Sequence, residues 1–454
     1  MTTYSDLEQK LNQSLAWMSG QRWFGDKDRS LRHVAIEHMT TAFDGTDPIQ
    51  LCCLRCEFET GNDAIYFLPV VGSEGDDLRD AFTVEVFRTW FFRGFVDGRE
   101  VQDGKRSWRW ETLQEHRRDV QHVHPDTSTT LRLEQSNTSV VYDNRLILKV
   151  FRKLQSGPNP DVEIGQMLVK SGSEVQVPNL AGKVEFTEGD ETTVLAILQQ
   201  YVHNFGDGWG WLLEQLRNRN SGSVSAIALL GRRTAEMHTA LATGSTEPAF
   251  APEPITDEDL AESQRRIESE LDQTIEGLLQ RGALDSTTAE SLQQRLRQKL
   301  TSLDSLRNTV RIRIHGDFHL GQVLRTVEHD FSIIDFEGEP SRPMNDRRKK
   351  WPALRDVAGM VRSLDYAVQT VLREQQDRSD LMPWRDEAIS AFLNEYRSAI
   401  KPSLGIIPAA DEDFASALAI LSLEKALYET RYELSNRPDW LGIPLGALER
   451  IAGN

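Results

Sequence analysis

Cysteine is scarce in this 454-residue chain: there are three, all within Leu51-Cys52-Cys53-Leu54-Arg55-Cys56. A disulfide framework is thereby excluded, and a zinc centre lacks its second pair of ligands. The alternation of this segment, continued through Glu57-Phe58, predicts a strand carrying reduced thiols. No run approaches the ~18 apolar residues of a membrane-spanning helix. The start, MTTYSDLEQKL, has none of the regions of a secretory signal, so a cytoplasmic location with no membrane partner is expected. Positive charge is also in deficit: 52 basic against 70 acidic residues give −18, which disfavours nucleic acid as a partner. There is no internal repeat, no low-complexity tract and no Gly-x-Gly-x-x-Gly sequence.

What the chain does have is length for two or three folded units and apolar residues, 39% of the total, spread throughout. Short alternating runs from Ile49 to Phe58 and Asp63 to Val71, then a helical stretch from Leu78 to Phe95, predict a small α+β unit over residues 1–95. Between Thr127 and Phe151 two strand-like runs flank the polar turn Gln135-Ser136-Asn137-Thr138-Ser139. A helix over Asp161 to Lys170, with prolines before it and Gly172 after, leads to the apolar run Val194 to Val202 and a loop at Asn204 to Gly208. Helical spacing dominates from there, including a charged pair between Ile255 and Leu306 broken at Gly282-Ala283.

One β-rich island interrupts the helical half. It contains His315-Gly316-Asp317-Phe318-His319-Leu320-Gly321-Gln322 and, beyond it, Ile333-Ile334-Asp335-Phe336-Glu337-Gly338. Pairing Val323-Leu324 with Phe331 to Ile334, turning near Glu328 to Asp330, brings Asp317 and Asp335 together. Phosphoryl transfer needs an anion to orient the attacking hydroxyl and oxygen ligands for magnesium on the nucleotide. Asp317 is the candidate base, Asp335 and Gln322 the candidate metal ligands, and His315 and His319 brace the loop.

These motifs resemble the catalytic and metal loops of aminoglycoside-phosphotransferase-like kinases and, more closely, bacterial maltokinases. Also similar are Phe336-Glu337-Gly338-Glu339-Pro340, Leu354-Arg355-Asp356-Val357-Ala358-Gly359-Met360, Glu134-Gln135-Ser136-Asn137, Asn159-Pro160-Asp161, Asp207-Gly208-Trp209, Gln21-Arg22-Trp23-Phe24 and the run Glu424 to Trp440. Trp351-Pro352-Ala353-Leu354 and the insert Thr243 to Asp257 depart from the pattern.

The resemblance implies an α+β, bilobal, protein-kinase-like fold: a cap over 1–95, a β-rich lobe over 96–202 and a helical lobe over 203–454, with ATP and Mg2+ in the cleft between the last two. Lys149 would neutralise nucleotide phosphates, held by Glu163. Ser136, Asn137, Thr138 and Ser139 would form the phosphate loop, and Gln200, Tyr201 and Val202 the adenine hinge. His315, Glu337 and Arg355 would join the sugar site. Lys425, Tyr428, Glu429 and Tyr432 share one helical face, which spacing alone favours as an ordinary surface helix; the resemblance reverses this and assigns it to sugar binding. The reaction implied is phosphorylation of maltose to maltose 1-phosphate, with trehalose synthase as an associated partner. The alternatives are a kinase for glucosamine, another sugar or an aminoglycoside, and a catalytically inactive binding module.

Overall fold

The computed structural model describes residues 4–43, 48–71, 78–131, 136–172, 175–220, 222–244, 246–339, 342–375 and 377–453. Glu134, Gln135 and Pro340 of the motifs above lie outside them. The chain divides into two compact units, Met1–Gln166 with Pro178–His203, and Met167–Val177 with Asn204–Asn454.

The first unit holds two antiparallel sheets. One runs Leu31–Phe43, Ile49–Phe58, Ala64–Val71 and Lys153–Leu154, with Arg79–Asp80 also pairing on Ala64–Val71. Its alternation sends Cys52, Leu54 and Cys56 to one face, against Leu7, Leu11, Met18 and Phe24. Leu51 and Cys53 face the other way, into a core with Phe82, Phe87, Phe91, Trp108 and Trp110. The cysteines are thus free and buried in a strand, and burial pushes the Cys56 thiol up to about 12.

The second sheet is ordered Glu100–Asp103, Arg106–Thr112, Leu180–Glu188, Glu191–Gln200, Leu146–Phe151, Asn137–Tyr142 and Ser128–Thr130. The expected polar turn at Ser136 to Ser139 needs correction. Asn137, Thr138 and Ser139 already pair with Phe151, Val150 and Lys149, and the hairpin reverses instead at Asp143 and Asn144, both with positive φ. Asp and Asn tolerate that left-handed backbone, so the turn signal was there, but five polar residues in a row drew attention first.

The second unit is mainly helical. Helices Ser223–Thr243 and Leu381–Ala399 pack so closely at Gly231 that a Cβ there would lie 2.2 Å from the Phe392 carbonyl oxygen. The charged pair forms as helices Asp257–Gln280 and Ser286–Lys299, separated at Gly282 with φ +68. Asn204–Asp207, expected as a loop, is a strand that joins Val323–Thr326 and Phe331–Ile333 in one small sheet. Another sheet joins Glu253–Pro254, Val310–Ile312 and Trp351–Pro352. Among the described residues no helix is long and apolar enough to cross a membrane.

Candidate active site

Strand Val310–Ile312 delivers the chain into the loop that carries Asp317. The next pair of strands brings it back, Val323 opposite Ile333, and the Ile334 N–H donates to the Gln322 carbonyl at 3.0 Å. His329 closes the turn with φ +62, and Arg233 clamps Asp330 through two bonds of 2.8 and 2.6 Å. Asp317 and Asp335 therefore flank one short hairpin. The two acid-bearing loops also approach directly, because a Cβ on Gly316 (φ +85) would sit 3.3 Å from the Gly338 Cα. Asp335 itself has φ +69, a left-handed backbone rare outside glycine and frequent at functional sites.

His315 joins the two loops. Its Nδ1 accepts the Asp317 N–H at 3.4 Å, so Nε2 carries the proton and donates to the Ile334 carbonyl at 2.8 Å. The ring is 1% exposed and packs on Phe318 and Phe336. Its assignment to the sugar is therefore corrected: both ring nitrogens brace the loops, as the bracing reading had it. Beneath the loop, buried Asp356 accepts from the N–H groups of His315 (2.8 Å) and Gly316 (3.0 Å), and its Oδ2 also meets His238 Nε2 at 3.1 Å. His238 Nδ1 in turn faces the Tyr396 hydroxyl at 2.9 Å. Helix Leu354–Glu374 thus holds the Asp317 loop by its backbone, a role for Asp356 that sequence reasoning missed. His319 Nδ1 accepts the Gly321 N–H at 3.0 Å, and burial lowers its pKa.

A cavity of about 230 Å³ opens beside Asp317. Five carboxylates and four cations line it, among them Glu270, Glu339, Arg355, Glu424, Lys425 and Arg431, with Tyr428. The Lys425 ammonium stands 3.6 Å from Asp317 Oδ1. Burial and the neighbouring charge of Glu424 raise the pKa of Glu270. Burial alone would raise Glu424 too, but Arg355 at 2.7 Å and Arg266 at 2.5 Å hold it down to about 2.

The face of helix Asp411–Asn436 that meets this cavity is rotated from the expected one. Leu421, Glu424, Lys425, Tyr428 and Arg431 line it. Glu429 instead accepts from Arg362 at 3.0 and 2.7 Å, and Tyr432 is 45% exposed and stacks on Tyr428 outside the cavity. Their assignment to the sugar is corrected; Glu337 is not among the residues that line this cavity. Glu424, Tyr428 and Arg431 follow i, i+4, i+7 as well as the chosen set does, so spacing held the correct face without selecting it.

In the first unit Lys149 is buried on strand Leu146–Phe151 and donates to Asp161 Oδ2 at 3.2 Å. Asp161 opens helix Pro160–Ser171, where Asn159 Oδ1 accepts its N–H at 2.9 Å. Sequence reasoning nominated Glu163, one half-turn on, as the partner; Asp161 is an acid this contact adds. Thr138 is buried and its Oγ1 accepts from Arg152 Nε at 2.9 Å, which removes it from a phosphate loop; Ser139 is buried beside it, while Ser136 is exposed. The N–H of Gln200 donates to Asn179 O and that of Tyr201 to Arg145 O, at 2.9 and 2.8 Å. Neither amide is therefore available to adenine.

Residues 135–381 match the family model described as "Phosphotransferase enzyme family", APH. The chain is 28% identical over 322 residues to a glucosamine kinase of Streptacidiphilus jiangxiensis, spanning 69% of this chain and 70% of that one. It is 27% identical over 332 residues to a glucosamine kinase of Mycolicibacterium smegmatis, strain ATCC 700084 / mc(2)155, spanning 71% and 78%. Among solved structures, a glucosamine kinase in crystal form B superposes with a TM-score of 0.71 at 21% identity over 98% of this chain and 99% of that one. Glucosamine kinase in complex with glucosamine, ADP and inorganic phosphate gives 0.69 at 21%, over 99% and 100%. The kinase-like α+β fold expected from the sequence is the fold these share.

Proposed function

This chain belongs to the APH phosphotransferase enzyme family, and from that premise we propose that it moves the terminal phosphoryl group of ATP to a hydroxyl of an amino sugar, glucosamine, rather than of maltose. The observation that carries this reading is the cavity beside Asp317. At about 230 Å³ it is smaller than the ~300 Å³ at the lower end of pockets for drug-sized ligands, which suits one sugar ring better than two. Its lining has more carboxylates than cations, and a bound ammonium offsets the burial and the Glu424 charge that together raise Glu270. The names of the relatives point the same way. Association with trehalose synthase, which came with maltose, has no place in this reading.

Asp317 orients the acceptor hydroxyl and takes its proton as the phosphoryl group transfers, with the Lys425 ammonium beside it. Lys149, steadied by Asp161, supplies the fixed positive charge for the nucleotide phosphates. Asp335 and Gln322 fit magnesium: they are oxygen donors at the same end of one hairpin, tied by the Ile334–Gln322 rung. They would hold it, and when bound it supplies charge neutralisation for the phosphates. His315 and Asp356 keep the base where the hydroxyl arrives. The presence of Asp317, Asp335 and Lys149 together argues against an inactive binding module.

A coupled ADP-release assay over glucosamine, glucose, maltose and aminoglycosides tests this. Glucosamine is expected to exceed maltose in kcat/KM by at least ~10²-fold, equivalent to about 2.7 kcal/mol of differential transition-state binding. A preference for maltose, or equal use of glucose and glucosamine, overturns the amino-sugar assignment.

A further inference from the structure

The cavity beside Asp317 shares out its ion pairs unequally. Glu424 is held by Arg355 at 2.7 Å and by Arg266 at 2.5 Å, and Glu339 by Arg342 at 2.7 Å. Asp356 is taken up by the backbone of the Asp317 loop and by His238. Asp317 apart, the remaining carboxylate of the lining is Glu270. Among the described residues its ion-pair partners are Arg431 at 3.7 Å and Arg266 at 3.8 Å, both outside direct hydrogen-bond reach.

Neither cation is placed to close that gap. Arg266 is committed to Glu424, and Arg431 Nη1 donates to the Glu270 backbone carbonyl at 3.2 Å rather than to its carboxylate. The same carbonyl accepts the Thr274 hydroxyl at 2.6 Å, and Ile267 and Leu271, on either side of Glu270 along helix Asp257–Gln280, are fully buried. The backbone under this side chain is therefore pinned. A largely buried carboxylate in a fixed place, with hydrogen-bonding capacity left over, favours a cationic donor over a neutral one. Such a donor also offsets the cost of burial, which a neutral hydroxyl does only in part.

We infer that Glu270 is the residue that selects the acceptor, by binding the protonated amine of an amino sugar while Asp317 engages the hydroxyl to be phosphorylated. The inference rests on the amino-sugar reading above and assigns its discrimination to one side chain. Glu424, already neutralised by two guanidinium groups, is left to hold the wall of the cavity.

Steady-state kinetics of the full chain with glucosamine and with glucose test this, because the two sugars differ only at the group assigned to Glu270. In Glu270→Gln, kcat/KM for glucosamine is expected to fall at least ~10-fold, chiefly through KM, and that for glucose to stay within ~3-fold, so that the preference collapses. Glu270→Asp keeps the charge and should retain an intermediate preference. A glucosamine-to-glucose ratio unchanged from wild type in Glu270→Gln overturns the inference and leaves the amino-sugar reading standing. A parallel loss with both sugars also overturns it, since that marks a purely structural role. If the wild-type chain itself does not prefer glucosamine, the reading of the site fails and this assignment falls with it.

Discussion

At the scale of single residues, the two acids of the hairpin are not equivalent. Asp317 faces the acceptor cavity beside Lys425, whereas Asp335 sits on strained backbone after the second strand. Asp317→Asn is accordingly expected to reduce turnover by at least ~10²-fold while nucleotide affinity, measured by calorimetry, changes only a few-fold. Near-normal turnover of the purified variant would remove Asp317 from the role of base. Glu424 offers a second test. It is buried between Arg355 and Arg266, so Glu424→Gln leaves two guanidinium groups short of their counter-charge. We expect a loss of about 3–5 kcal/mol in urea unfolding near pH 6, with a raised acceptor KM. Because the folded-state pKa is depressed to about 2 from an ordinary 4.5, this contribution is full above pH 4.5 and is lost as pH falls towards 2. The gap between wild type and variant should narrow over that interval; a constant gap contradicts the assigned ion pairs.

At the scale of elements, helix Leu354–Glu374 determines where the catalytic loop lies. Asp356 holds the loop's backbone, Ser363 accepts the Leu320 N–H at 3.1 Å, and Gly359 lets the loop touch the helix. A Cβ at Gly359 would stand 2.5 Å from the Phe318 carbonyl oxygen, which neither rotamer choice nor a flexible side chain relieves. Gly359→Ala is expected to lower kcat at least ~10-fold through displacement of Asp317, with KM for ATP little changed, since a shift of about 1 Å in a reacting group has effects of this order. Unaltered kcat in a folded variant would show that the loop does not depend on this contact.

At the scale of the whole molecule, the two sheets of the first unit are joined through one stretch of chain. The segment from Leu146 to Leu154 belongs to both sheets: Leu146–Phe151 pairs in one and Lys153–Leu154 in the other. Between them Arg152, 0% exposed, donates to Asp80 Oδ2 at 2.6 Å and to Thr138 Oγ1 at 2.9 Å, and lies over Trp23 and Phe82. Arg152→Met should therefore destabilise by about 3–5 kcal/mol in denaturant unfolding, because Asp80 is left buried without its cation. Arg152→Lys should not restore it fully, as an ammonium lacks the fork that reaches both Asp80 and Thr138. Full stability of either variant would mean that the sheets are joined by apolar packing alone.

The sequence by itself determined the reaction chemistry and most elements. Alternation at Ile49 to Phe58, the breaks at Gly172 and Gly282, and the spacing of Asp317 from Asp335 are local signals, and local backbone preferences carry them into the fold. Tertiary structure decided what depends on partners far along the chain. Four side chains facing together on a helix do not say which of its faces meets a cavity, so Glu429 turned out to be held by Arg362, 67 positions away, and Glu424 took the cavity instead. Likewise a hydroxyl row at Asn137 to Ser139 reads as a phosphate loop until Arg152 is seen to draw Thr138 inward. Periodicity specifies the geometry of an element, whereas burial and charge compensation among distant residues specify which of its groups remain open to a substrate.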